Sequence, residues 1–315
     1  MNTDSTSSRK QDHIELAFKS QTDKGELDQR FYYEPLLSAH PNNFEIENIP
    51  FLGREMHLPI WVSSMTGGTE KAGLINRNLA RACKKYGMGM GLGSCRIILD
   101  DNKYLPDFDF RKEIGDDLPF YANLGIAQLE ELIEHNELYK IIELINKLSA
   151  DGLIIHVNPT QEWLQPEGDR FKKSPLETIE TIIDKLDIKI IVKEVGQGMG
   201  PRSLEKLINL PIEAIEFAAM GGTNFAKLEI LRTEVKEEST LMPFSFIGHS
   251  AEEMVEFSNT IFEKYQGKTL CRQLIISGGV KNFLAGYYLT QKSKYQSVYG
   301  QASTLLKYAA QSFEA

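Results

Sequence analysis

From residue 59 onward the chain alternates short apolar or β-branched runs with amphipathic helical stretches, and that alternation leaves few folds open. Strand-like runs stand at 59–64, 88–93, 119–123, 152–158, 188–195, 214–219, 273–277 and 296–300. Helical patterns between them cover 71–86, 138–148, 176–186, 203–209, 251–265 and 302–310. Eight strands separated by helices is the count of a (β/α)8 (TIM) barrel, so the fold class is α/β. Most strand starts recur after 23 to 36 residues, but the sixth-to-seventh interval is 59. That interval, which includes the charged run Arg232–Glu238, predicts an insertion near the barrel mouth. Residues 1–58 read as a non-barrel extension, with the barrel proper at 59–315.

Composition narrows the function classes. A net charge of −9 argues against a protein that lives on nucleic acid or an anionic membrane. No run approaches the roughly 18 apolar residues of a membrane span. Met1 to Ser8 lacks the apolar core of a signal peptide. Cys83, Cys95 and Cys271 form no CxxC pair, which favours a reduced setting, and a cytoplasmic location is the expectation.

The most informative stretch runs from His156 to Arg170. Side chains alternate along a strand, so His156 and Asn158 project from one face, with Gln161 and Glu162 just beyond the strand end. An imidazole, two amides and a carboxylate then converge at the mouth of the sheet. Packing does not require that mix, whereas orienting a polar substrate and holding a hard cation does. Glu162 is the expected ligand of Mg²⁺, one carboxylate completed by phosphate oxygens and water. Gln161 does not titrate near neutrality and would position a substrate or relay a proton.

The other strand ends extend the pattern. Ser277-Gly278-Gly279 and Gly300-Gln301-Ala302 follow the last two strands, where barrels commonly bind phosphate through backbone N–H groups. Lys193 follows Ile191 on one strand face and should point inward, either into a salt bridge with Glu216 or beside an electron-rich cofactor ring. Ser94 and Arg96 follow the second strand, with Cys95 between them read as a small packing residue. Arg9, Lys10 and His13 form a cationic cluster ahead of helix-compatible residues 14–19, suited to fold over a diphosphate as a lid.

Taken together, these residues resemble the type 2 isopentenyl diphosphate isomerases, FMN-dependent (β/α)8 barrels. The likeness runs from about Arg9 to about Leu305. It is carried by Arg9-Lys10-x-x-His13-Ile14, Ser64-Met65-Thr66-Gly67-Gly68, Asn123-Leu124-Gly125 and His156-x-Asn158-x-x-Gln161-Glu162. Pro166-Glu167-Gly168-Asp169-Arg170, Gly221-Gly222-Thr223 and Ser277-Gly278-Gly279-Val280 add to it. The resemblance implies interconversion of isopentenyl and dimethylallyl diphosphate on reduced FMN, with Mg²⁺ and no net oxidation, in isoprenoid biosynthesis.

By position, Met65, Thr66, Gly67, Ser94, Asn123, Lys193, Thr223, Gly278, Gly279, Gln301 and Ala302 would hold FMN. Arg9, Lys10, His13, Ser94, Arg96, Asn158 and Gln161 would hold substrate, with Gln161 and His156 at the reacting allylic group and Glu162 on Mg²⁺. NADPH is the implied reductant, and since no GxGxxG follows a strand it would bind transiently. A homo-tetramer or homo-octamer is implied. The chain departs from the family at Cys95, where Gln is common, and at 246–250 and 281–283. The competing readings are an FMN oxidase of the 2-hydroxy-acid type and a non-catalytic flavin-binding oligomer. The first would want a His base and paired Arg after the later strands, and Ala218–Gly222 offers neither.

Overall fold

In the computed structural model, residues 3–40, 47–64, 66–232 and 238–314 are described. The chain divides into two compact units, Met1–Phe44 and Glu45–Ala315. The first carries an α-helix, Thr3–Leu16, and a 3₁₀ turn, Lys24–Glu26. The second opens with a hairpin of β1 (Ile49–Phe51) and β2 (Arg54–Met56), and eight parallel strands follow. These are β3 (Ile60–Val62), β4 (Gly89–Gly91), β5 (Phe120–Gly125), β6 (Gly152–His156), β7 (Ile190–Lys193), β8 (Ala214–Glu216), β9 (Gln273–Ser277) and β10 (Gln296–Gln301).

They close in sequence order, with β10 pairing β3, so the expected (β/α)8 barrel forms. Helices lie between successive barrel strands, and the long sixth-to-seventh interval holds Phe225–Arg232, Glu238–Leu241 and a 3₁₀ turn, Met242–Phe246. The centre of the charged run, 233–237, lies outside the described residues. Among the described residues no helix is long and apolar enough to cross a membrane.

Strand alternation sorts the core into two parts. Outward residues such as Leu153, Ile155, Ile190, Val192, Leu274 and Ile276 pack with the surrounding helices. Inward residues Trp61, Tyr121, Ile154, Ile191, Ala214, Ile275 and Val298 fill the barrel, together with Phe51, Leu52 and Met56 of the hairpin. Glycines on β4 make room for the indole, since a Cβ on Gly89 would lie 2.6 Å from the Trp61 ring.

The hairpin therefore plugs one end of the barrel, and its residues Phe51, Leu52 and Met56, within the stretch read from the sequence as a non-barrel extension, share the barrel's inner core. The Leu52-Gly53 turn, with φ of 53° and 75°, suits the twist of a two-residue hairpin. The backbone N–H of Leu52 donates to Gln273 Oε1 at 2.8 Å, fastening the plug to β9. Asp151, just before β6, accepts from Arg54 at 2.6 Å, Arg111 at 2.9 Å and the Phe120 N–H at 2.9 Å. Burial alone would raise the Asp151 carboxyl, but these three donors hold it below its usual range.

Candidate active site

Two residues further along the same strands, the inward positions become polar. Above Trp61, Tyr121, Ile154, Ile191, Ala214, Ile275 and Val298 stand Ser63, Asn123, His156, Lys193, Glu216, Ser277 and Gly300. The period of two that places the first set inside the barrel places the second set inside as well, at its C-terminal end. Ladder register confirms the layer: His156 pairs with Lys193, and Lys193 with Glu216. Two cavities open on it. One, of about 220 Å³, is lined by Ser94, Arg96, Asn123, His156, Asn158, Gln161 and Glu162. The other, of about 120 Å³, is lined by Glu216, Thr223, Ser277, Gly278, Gly279, Gln301 and Ala302. Ser64, Lys193, Val195 and Phe225 line both, so the two share a wall.

The first cavity is a continuous hydrogen-bonded set. Asn123 donates through Nδ2 to the Leu92 carbonyl at 2.9 Å, which turns its Oδ1 toward His156 Nδ1 at 2.8 Å. That contact suits an imidazole carrying its proton on Nδ1, leaving Nε2 as an acceptor. Burial pushes the His156 imidazole down to about 3, with the Lys193 charge acting in the same direction, so the ring is neutral near pH 7. A side chain at Gly125 would lie 2.7 Å from His156 Nε2, so the ring depends on that close approach.

The strand ends at His156, two residues earlier than the sequence pattern indicates, because Pro159 starts a helix, Pro159–Leu164. Gln161 and Glu162 thus occupy a helical first turn rather than a loop. Asn158, three and four residues before them, reaches both. Its Nδ2 donates to Gln161 Oε1 at 3.2 Å and Glu162 Oε1 at 2.8 Å. Glu162 Oε2 accepts the Asp169 N–H at 2.8 Å, and Asp169 in turn pairs with Arg96 at 3.1 Å. Gln161 Nε2 donates to Glu229 Oε1 at 3.1 Å. Glu229 is a partner that sequence reasoning missed. It lies in the insertion helix, where one carboxylate among ordinary surface charges gives no signal.

The second cavity carries the glycine loops after β8 and β9. Gly278 has φ +95°, and a Cβ there would stand 2.1 Å from the Ala219 carbonyl oxygen. One on Gly279 would stand 3.1 Å from the Gly221 Cα. The two loops touch backbone to backbone, an arrangement open only to glycine. Lys193 is buried as expected, but its Nζ donates to the Glu194 carbonyl at 2.7 Å and makes no ion pair with Glu216 among the described residues. Glu194 is not a surface charge either. Its carboxylate accepts three successive N–H groups, Gly196 and Gln197 at 2.6 Å and Gly198 at 2.8 Å, and burial raises its pKa nonetheless.

Some expected site residues stand elsewhere. Thr66 and Gly67 line neither cavity, although a Cβ on Gly93 would meet the Thr66 backbone at 2.5 Å. Met65 lies outside the described residues. Arg9, Lys10 and His13 share the exposed Thr3–Leu16 helix, with Arg9 and His13 one turn apart. Cys95 is wholly buried and its thiol is pushed up to about 12 by burial, which leaves it unreactive.

The fit of a flavin and a cation can be judged from these atoms. Ser63 Oγ, Ser64 Oγ, Asn158 Oδ1 and Glu216 Oε2 are buried without a hydrogen-bond partner among the described residues, and all four residues line one cavity or the other. Buried polar atoms are ordinarily paired, so a wall with this many free acceptors is shaped for a polar ligand. The glycine loops suit a phosphate, and Lys193 suits an electron-rich ring. Glu162 and the Asn158 amide oxygen supply oxygen donors of the kind Mg²⁺ accepts, with ligand oxygens needed to complete the sphere.

No protein-family profile matches the chain. Among solved structures it is similar to mandelate oxidase with the monooxide FMN adduct, at a TM-score of 0.51 and 12% identity over 85% of this chain and 72% of that one. Mandelate oxidase with (S)-mandelic acid gives 0.52 and 13% over 85% and 71%. At such identity the likeness speaks for the fold alone, and the class it defines is the (β/α)8 barrel with its site at the C-terminal strand ends.

The sequence relatives are more particular. The isopentenyl-diphosphate delta-isomerase of Rickettsia typhi is 33% identical over 311 residues, covering 96% of this chain and 85% of the relative. That of Nostoc sp. (strain PCC 7120 / SAG 25.82 / UTEX 2576) is 38% identical over 234 residues, covering 73% of this chain and 65% of the relative. The chain belongs to the isopentenyl-diphosphate delta-isomerase family. It spans just under two thirds of the length of the Nostoc relative and 85% of the Rickettsia one.

Proposed function

We propose that this chain interconverts isopentenyl and dimethylallyl diphosphate, using bound reduced FMN and Mg²⁺. The observation that carries the reading is the shared wall between the two cavities. A glycine cradle fit for a phosphate lies on one side of Lys193, and an imidazole–amide–carboxylate set lies on the other.

Gly278, Gly279, Thr223, Gln301 and Ala302 would hold the cofactor's phosphate end, while Lys193, Asn123 and Ser94 would stand along its ring. When bound in reduced form, FMN would supply an electron-rich ring able to give up and take back a proton. The reaction needs one proton added at the terminal methylene and one removed from C2, so no electrons leave the substrate. Neutral His156 suits a place beside the allylic carbons, because it adds no charge and is fixed through Nδ1. Gln161, tied to Asn158 and Glu229, would orient the substrate and pass a proton without titrating. Glu162, in a helical first turn, would hold Mg²⁺ against the diphosphate, with Arg96 on the same anion.

The test is stoichiometric. With FMN supplied, reductant (NADPH or dithionite) should be needed to start turnover and then not be consumed in proportion to product. Consumption of one reductant per product would show a dehydrogenase or oxidase instead.

A further inference from the structure

Glu216 stands in the polar layer with no solvent exposure. Its Oε1 accepts the Ser277 hydroxyl at 3.2 Å, whereas its Oε2 has no partner among the described residues. The adjacent cation, Lys193, is turned to a backbone carbonyl. A buried carboxylate oxygen without a donor is costly, and the cavity it lines is the place from which a donor can come. The neighbouring groups narrow the donor's chemistry. Ser63 Oγ and Ser64 Oγ are likewise buried and partnerless, from the strand across the barrel. Ser277 Oγ is already engaged, accepting the Ala218 N–H at 2.9 Å. Serine hydroxyls both give and accept, while a carboxylate only accepts. A phosphate, which only accepts, is repelled by Glu216, and a bare aromatic ring cannot answer three separate polar atoms. A chain of several hydroxyls answers all of them.

We propose that Glu216 and Ser63 form a polyol subsite beneath the glycine loops, with Glu216 Oε2 accepting a hydrogen bond from a hydroxyl of the flavin's ribityl chain. The inference rests on the flavin reading above and gives it a direction. The carboxylate keeps phosphate off the barrel floor and leaves the glycine loops as its place.

Riboflavin and lumiflavin both lack the phosphate and differ in the ribityl chain, so their difference in affinity isolates this subsite. Titrated into the full chain freed of flavin and followed by flavin fluorescence, riboflavin should bind about tenfold or more tighter than lumiflavin, as for a hydrogen bond to a charged acceptor. Glu216→Ala should abolish that difference while lumiflavin binding, which also reports an intact fold, is kept. Ser63→Ala, a milder change, should narrow it by roughly threefold. Equal affinity of wild type for the two flavins, or a full difference surviving in both variants, would overturn the subsite. Equal loss of both flavins in Glu216→Ala would do so as well. A wild-type chain that binds no flavin at all would bring down the proposed function first, and the subsite with it.

Discussion

Two layers of side chains, two residues apart on the same strands, divide the barrel interior. The layer at the plugged end is apolar and close-packed, with Trp61, Tyr121, Ile154 and Ile191 wholly buried against Phe51, Leu52 and Met56. Its nearby charge, Asp151, has three donors. The layer at the mouth is built from Ser63, Asn123, His156, Lys193, Glu216 and Ser277, and two of its atoms, Ser63 Oγ and Glu216 Oε2, lack partners among the described residues while facing a cavity. Trp61 Nε1 and Tyr121 OH at the closed end are also without a partner among the described residues, but neither residue lines either of the two cavities. The apolar layer opens on neither cavity, whereas the polar layer lines both, and on the proposed function a ligand would complete it there. Stability and function therefore separate along a few ångströms of strand.

The separation can be broken most forcefully from below. Phe51→Ala should cost about 3–5 kcal/mol of stability by opening a cavity in the plug. FMN affinity of the protein that remains folded should stay close to wild type, as read by denaturant unfolding and flavin titration side by side. A large loss of affinity at unchanged stability would reverse the assignment of the two layers. Glu162→Gln acts on the mouth instead. Removing the charge while keeping the shape should reduce turnover by about 100-fold, equivalent to about 2.7 kcal/mol, and abolish its dependence on Mg²⁺. Unfolding free energy should fall only by the one hydrogen bond that the amide cannot accept, about 1 kcal/mol. Unaltered metal dependence would return Glu162 to a structural role.

Smaller effects sharpen the comparison. His156 is neutral in the folded state, its value pushed down to about 3, while the unfolded chain protonates near the ordinary value of about 6.5. As pH falls below about 6.5 the unfolded state gains the proton first, so stability falls progressively toward pH 3 by up to about 1.4 kcal/mol per unit. The difference in unfolding free energy between wild type and His156→Gln should follow that slope and be flat above pH 7. A flat difference across the range would mean the imidazole takes up its proton in the folded state as readily as in the unfolded one. Smallest, Glu216→Gln should raise the stability of the flavin-free protein by about 1 kcal/mol, because it removes a buried charge that has one hydroxyl partner and no cation among the described residues. A fall of that size would give Glu216 a structural role instead.

Much of this arrangement is legible in the sequence because buried parallel strands are written as short apolar runs. Ile154–His156 and Ile191–Lys193 display the two layers directly, an apolar inward residue followed two positions on by a polar one. Gln161 and Glu162 were legible as neighbours of Asn158, though their helical setting depends on Pro159 and is local enough to have been read. Other features are not written locally. Glu229 meets Gln161 across 68 positions through an insertion helix whose placement is tertiary. Lys193 has Glu216 beside it in register, yet prefers a backbone carbonyl, a choice between two acceptors that composition does not decide. The hairpin at Ile49–Met56 did carry a signal, a Leu-Gly turn between two short runs, but its role as a plug follows only from barrel closure.

The central claim is that the mouth layer holds reduced flavin against an allylic diphosphate and moves protons rather than electrons. Its most direct test is to incubate the FMN-loaded, reduced protein with isopentenyl diphosphate and Mg²⁺ in deuterated water and follow the products by NMR. The account predicts dimethylallyl diphosphate carrying solvent deuterium in the newly formed methyl group, with the flavin still reduced at the end. Substrate recovered without deuterium, or product formed only as the flavin is oxidised, would contradict it.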